Sequence, residues 1–353
     1  MPRMPKQFSR RDFLKVGGLS LASLAFGKFS PDFTGFNDST LVRVAISSVS
    51  VYSQPSDKST ITGTWYKDDL IHVYEEVTAD EPKLNPIWYR VWGGYLWRAH
   101  LQPVQMILNA PIDSIPDGQR VLMDVTVPFT QPWRHTKTYG WQQLNFRLYY
   151  ESVYWVDAIE DGPDGLPWYR VFDDLAGTYY VNATHLRLIP ADSLAPISPD
   201  VPWENKRIDV NLTAQTLTAY ESDRQIFQTK ISSGLVYGNH TATPVSPANG
   251  FHIQEKSPSK HMGNGNLFAD AEDYELPGVP WTAFFTNAGH AFHGTYWHDN
   301  FGTPMSHGCI NMRTSEAKWL FRWSQPYPDS NNLTSDYVIR GGDSAGTTVN
   351  VHY

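Results

Sequence analysis

The sequence predicts a mainly β protein: two small β-barrels, then a β-sandwich that carries one short helix. Three observations predict it. Aromatic residues are abundant, with 13 Trp, 19 Tyr and 17 Phe beside 25 Gly and 25 Pro, a composition suited to pleated strands joined by tight turns. Two segments in the first half repeat one set of landmarks at nearly equal spacing. Apolar residues alternate over short runs, and only one stretch has a helical period. At 353 residues the chain accommodates two or three domains.

Residues 1–30 open the chain with Ser9-Arg10-Arg11-Asp12-Phe13-Leu14-Lys15, followed by an apolar run over 16–26 rich in Gly, Ala, Ser and Leu. Paired arginines before a short, mildly apolar segment resemble a twin-arginine export signal. That resemblance implies an exported, extracytoplasmic protein. The run is shorter than the roughly 20 residues a spanning helix needs, so membrane contact is expected only if the signal is retained. The formal charge is −8, and setting aside the +5 of residues 1–30 leaves −13. An acidic body without a Lys/Arg cluster argues against nucleic acid or anionic lipid as partner.

The repeated landmarks come next. The first set is Val51-Tyr52-Ser53-Gln54-Pro55, Trp88-Tyr89-Arg90-Val91, Tyr95-Leu96 and His100-Leu101-Gln102-Pro103. The second is Pro128-Phe129-Thr130-Gln131-Pro132, Trp168-Tyr169-Arg170-Val171, Tyr180-Val181 and His185-Leu186-Arg187. The aromatic-to-Trp spacings, 36 and 39 residues, mark a duplicated β unit, and runs such as Leu70-Ile71-His72-Val73-Tyr74 and Leu148-Tyr149-Tyr150 read as its strands. The pattern resembles bacterial SH3-like domains, expected over 40–106 and 118–190. Trp88 and Trp168 are expected to fill the two cores rather than to face a ligand.

A Pro-rich stretch over 191–203 reads as a stiff linker. From 204 onward, Ile208-Asp209-Val210-Asn211-Leu212 and Thr216-Leu217-Thr218-Ala219-Tyr220 alternate like strands around a turn at Thr213-Ala214-Gln215. Further strands are expected over 226–231, 250–253, 284–285 and 291–293, with a closing strand over 347–351. Residues 315–323 read as a helix with Ala317, Leu320 and Phe321 on one face and Thr314 as its N-cap.

Cys309 is the only cysteine, so it has no intrachain disulfide partner. A lone thiol in an exported protein is an inert buried residue, an intermolecular bridge or a reactive group. It sits in Ser306-His307-Gly308-Cys309-Ile310-Asn311-Met312, downstream of His293-Gly294-Thr295. A thiol attacks a carbonyl only as thiolate, so it needs an imidazole to take its proton and backbone N–H groups to hold the oxyanion that forms. His293 and His307 are the candidate bases, and Gly308 permits the close backbone approach of an oxyanion-binding turn.

The combined pattern resembles the L,D-transpeptidase (YkuD) family of peptidoglycan cross-linking enzymes, whose signature is His-Gly-[Thr/Ser], a loop, then [Ser/Thr]-His-Gly-Cys-x-[Arg/Asn]. Further features of that family follow in order: Gln215-Thr216-Leu217, Ser233-Gly234, Thr243-Pro244, Gly250-Phe251 and Gly346-Thr347-Thr348-Val349. The resemblance covers 204–353. It implies Cys309 as nucleophile, His293 as its base and His307 as a residue that orders the site. The N–H groups of Gly308 and Cys309 would form the oxyanion hole. Ser306, Asn311, Gly294, Thr295 and Trp297 would shape the loop or line the substrate groove. His293 is favoured over His307 on the expectation that His307 faces away from Cys309, although the sequence does not itself say which ring holds the proton. The implied substrates are peptidoglycan stem peptides at the cell wall, attacked by the thiol with release of D-alanine to give 3–3 cross-links, and no cofactor is implied. Hydrolysis by water, or attachment of another protein to the wall, would use the same acyl-enzyme.

Three rivals remain. His290, His293, His298, Asp299, His307 and Cys309 are dense enough to suggest zinc, but no His-Glu-x-x-His helix accompanies them, and no metal is expected. His290 and His298 then read as supporting or surface residues. A papain-like hydrolase would place its Cys before its His. A wall-binding scaffold with a decayed site would have lost the thiol or the base, and both are present.

Overall fold

The alternating runs become strands in the computed structural model, which describes residues 41–235, 243–263, 275–327, 338–341 and 346–353. The export signal expected over 1–30 lies outside the described residues.

Residues 41–104 form a first β module. Leu70–His72, Leu41–Val44 and Leu101–Val104 make a three-stranded sheet. A five-stranded sheet runs in the order Ile61–Tyr66, Ser48–Tyr52, Gly94–Trp97, Ile87–Val91, Glu75–Thr78. Val42, Val44, Val51, Ile71, Tyr89, Val91, Leu96 and Leu101 share its core. Residues 121–188 form a second module around a seven-stranded sheet, in which Val153–Asp161 lies between Val121–Val125 and Pro167–Asp173. Trp88 and Trp168 are buried but do not fill the two cores: Tyr89, Val91, Tyr169 and Val171 point there, and by alternation each Trp lies on the other face of its strand, against Tyr52 or Trp133.

The 191–203 stretch does not hang free as a linker. Ile197 N–H donates to Arg322 O, Arg322 Nε donates to Ala195 O, and Lys318 Nζ donates to Ser193 Oγ, so the segment lies along the helix of the C-terminal domain.

That domain is a sandwich of two five-stranded sheets. The first contains β1 (Lys206–Asn211), β2 (Thr216–Glu221), β3 (Arg224–Lys230), β4 (Phe251–His252) and β10 (Thr348–His352), in the order β3-β2-β1-β10-β4. The second contains β5 (Glu255–Met262), β6 (Leu276–Phe284), β7 (Ala291–Gly294), β8 (Ile310–Met312) and β9 (Ile339–Arg340), in the order β8-β7-β6-β5-β9. Period-2 burial decides which side faces in: along β1, Lys206, Ile208 and Val210 are buried while the alternate residues are only half-covered. Ile208, Leu217 and Val349 from one sheet meet Phe292, Ile310 and Met312 from the other in a single core. The helix α1 (Thr314–Trp323) adds Ala317, Leu320 and Phe321 to it, the face that the sequence predicts.

Two details of α1 depart from the sequence reading. Its N-cap is Arg313, with no side-chain capping bond, and Thr314 is the first helical residue. The orphan carbonyls at its other end are met by buried lysines. Lys206 Nζ donates to Trp323 O, and Lys256 Nζ donates to Phe321 O and Ser324 O. Both amino groups thus sit at the negative end of the helix dipole, although burial lowers the pKa of each, that of Lys256 well below its ordinary value.

Candidate active site

Parallel pairing of β7 with β8 builds the site. The register sets Phe292 beside Ile310 and His293 beside Asn311, so the His293 and Asn311 side chains share a face. Carried back one residue, the same register puts Cys309 beside Ala291. The Ala291 N–H does reach the thiol there, and Cys309 Sγ lies 3.8 Å from Gly289 O.

The turn before Cys309 is fixed from several sides. Ser306 Oγ donates to Cys309 O and accepts from Gly308 N–H at 3.1 Å. Gly308 O accepts from Thr243 Oγ1 at 2.7 Å, and the same hydroxyl accepts from Gly234 N–H at 2.9 Å. Ser233 O receives the N–H groups of Met305 and Ser306, while Gln215 accepts from Ser233 N–H and donates to Ser233 Oγ. Gly308 has φ +143°, and a Cβ there would stand 2.8 Å from His290 Cδ2, so both the dihedral and the space require glycine.

His293 is fully buried on β7. Its Nδ1 lies 3.0 Å from Gly294 O. A carbonyl can only accept, so Nδ1 carries the proton and the Nε2 lone pair has no partner among the described residues. Burial lowers its pKa to about 4, with the Gly294 bond opposing. Burial also raises the Cys309 thiol above its ordinary value, the Ala291 N–H opposing. Both residues are therefore neutral at rest. Trp297 covers the imidazole, with ring centroids 5.6 Å apart. Gly294 is held tightly, since a Cβ would meet Pro280 Cγ at 2.8 Å, and Thr295 is buried with an unpartnered Oγ1.

His307 has an exposed side chain, and Ser306 bonds both Gly308 and Cys309 across the turn. Residues two apart on an extended strand share a side, but the Gly308 dihedral breaks the strand between His307 and Cys309. The Gly308 N–H, expected in the oxyanion hole, is taken by Ser306 Oγ.

His290 and His298, read from the sequence as supporting or surface residues, take supporting positions. His290 packs over Gly308, with Nδ1 2.9 Å from Thr286 Oγ1, and His298 is buried and bonded to Asn311. The 295–302 loop is also gripped by the first module. Arg98 pairs with Asp299 at 2.8 Å, Asp299 N–H donates to Ala99 O, and Arg43 Nη2 donates to Tyr296 O. Only the density of histidines over 290–307 signalled any of this.

Residues 205–351 match the family profile of the L,D-transpeptidase catalytic domain, YkuD. Over 133 residues the chain is 26% identical to YciB of Bacillus subtilis (strain 168), to which an L,D-transpeptidase activity is ascribed. That match covers 35% of this chain and 63% of YciB. Among solved structures, an L,D-transpeptidase from Mycobacterium smegmatis is 21% identical, with 42% of this chain and 59% of that one covered and a TM-score of 0.31. L,D-Transpeptidase 3 from Mycobacterium tuberculosis is 17% identical, with 50% and 74% covered and a TM-score of 0.31.

Proposed function

We propose that this chain, in which residues 205–351 are an L,D-transpeptidase (YkuD) catalytic domain, is a peptidoglycan L,D-transpeptidase working through a thioester on Cys309. The observation that carries this reading is the unpartnered Nε2 of buried His293, on the strand beside the one Cys309 leads into. A basic nitrogen kept without a partner costs stability, and it is suited to receive a proton when substrate arrives.

Because thiol and imidazole are both neutral at rest, proton transfer accompanies attack instead of preceding it. Sγ adds to the carbonyl carbon of the third stem residue while its proton passes to His293 Nε2. The tetrahedral adduct collapses, the imidazolium gives that proton to the nitrogen of the departing D-alanine, and a thioester remains. A side-chain amine of a second stem then attacks the thioester, returns Sγ as thiol and forms the 3–3 cross-link. Water in place of the amine would give an L,D-carboxypeptidase.

Intact-protein mass spectrometry with a soluble tetrapeptide stem, with D-alanine followed in parallel, tests the reading. The expected result is an adduct on Cys309 with stoichiometric D-alanine release. Cys309→Ser is expected to abolish both, and His293→Ala to lower the rate by about 10²–10⁴-fold. Turnover by folded Cys309→Ser would overturn the mechanism.

A further inference from the structure

The 295–302 loop joins the strand of His293 to the turn of Cys309, and His298 lies buried within it. His298 Nδ1 accepts from Asn300 N–H at 3.1 Å. Its Nε2 lies 2.8 Å from the side-chain amide of Asn311, with the nitrogen drawn as the nearer atom. Burial, with smaller contributions from His293 and His100, lowers its pKa to about 3, so the ring is neutral. A neutral imidazole whose Nδ1 is an acceptor carries its proton on Nε2. Two donors cannot face each other, so the amide must be turned: Asn311 Oδ1 accepts from His298 Nε2–H, and the NH2 takes the other position. Asn and Gln amides are assigned from hydrogen bonding in this way. The atom at that other position is buried and has no partner among the described residues.

The loop's conformation is not its own. Asp299 is paired to Arg98, its N–H donates to Ala99 O, and Asn85 Nδ2 donates to both Asp299 O and Asn300 Oδ1. Ser232 Oγ donates to Asn300 O. The backbone N–H that sets the His298 tautomer is thus held by residues of the first module.

We propose that His298 is a positioning residue for the acyl transfer, turning the Asn311 amide so that its NH2 meets a carbonyl oxygen of the bound stem peptide. This rests on the function proposed above. A buried N–H without a partner is retained here because the substrate accepts from it.

The full chain serves for the test, in two measurements. ¹⁵N NMR of the free protein reads the His298 tautomer: Nε2–H with an accepting Nδ1 is expected, and Nδ1–H would overturn the inference whether or not the chain is active. Steady-state kinetics on the tetrapeptide stem then compares variants. His298→Ala is expected to lose roughly tenfold or more in kcat with KM little changed. His298→Gln, whose amide can still donate to Asn311 Oδ1, is expected to recover most of that. Asn311→Asp, which keeps the acceptor and removes the NH2, should match His298→Ala, and the double variant should be no worse than either. Full kcat in folded His298→Ala or His298→Gln together with Asn311→Asp, or additive losses, would overturn the inference. An absent Cys309 adduct in the unaltered chain would instead remove the function on which it rests.

Discussion

The two β modules carry the same sequence landmarks, yet they meet the C-terminal domain through different chemistry. The second module merges with it. Leu122, Val153 and Ile189 belong to the sandwich core, Ser259 Oγ donates to Val153 O, and Tyr154 OH donates to Pro277 O. A latch closes the same contact: His261 on β5 bonds Asp173 through Nδ1 and Glu275 through Nε2. The first module instead makes a polar contact with the 295–302 loop, through Arg43, Asn85, Arg98 and Ala99. Related units therefore do separate work, one supporting the fold and the other the geometry of the site.

The largest expected effect falls on the second module. Leu122→Ala removes a buried side chain from a shared core and should cost about 2–5 kcal/mol in denaturant unfolding, with kcat per folded molecule unchanged. A loss below 1 kcal/mol, or a fall in kcat, would break the division of labour. Next comes the first module. Arg98→Ala strips the partner from a buried carboxylate whose pKa burial already raises, and should cost about 1.5–3 kcal/mol. Its larger signature is kinetic: a roughly tenfold drop in kcat, matching His298→Ala. If kcat holds while stability falls, the grip on the loop is structural only.

The smallest effect sharpens the contrast through pH. Burial lowers the His261 pKa, but Asp173 and Glu275 outweigh burial, and the net value is raised above 6.5. Lys260 and Asp174 lie beside the latch, Lys260 paired to Asp174 and Asp174 accepting from His261 N–H. With a raised folded pKa, the latch stabilises fully below pH 6.5 and fades as pH climbs through the folded value. His293 and His298 behave oppositely: with pKa values of about 4 and 3, they weaken the fold as pH falls below about 6.5. Glu275→Gln should therefore lower stability more at pH 6 than at pH 9. An equal loss at both values would show that the latch carries no charge.

Local signals were legible in the sequence where local physics decides. The alternation in β1 and β2 and the apolar face of α1 follow from periodicity. Thr314 was misread as a cap because capping depends on where the preceding backbone turns, and Arg313 turns there first. The 191–203 stretch looked like a linker because proline suits both an extended spacer and a packed strap; Arg322 and Lys318 decide between them. Arg43 and Tyr296 meet across 253 positions, a separation at which no pattern of spacing operates. His298 was visible as a residue but not as a role, since its tautomer depends on one backbone N–H in a folded loop.

The placement of β10 has a consequence for biosynthesis. It fills the gap between β1 and β4, running parallel to β1, and its Asn350 bonds Asp209 across 141 positions of chain. At about 5–20 residues per second, a ribosome releases β1 on the order of ten seconds before the strand that must lie beside it. Throughout that interval β1 has an open edge, so the sheet cannot close until β10 has emerged. The domain is expected to fold as a unit once it has.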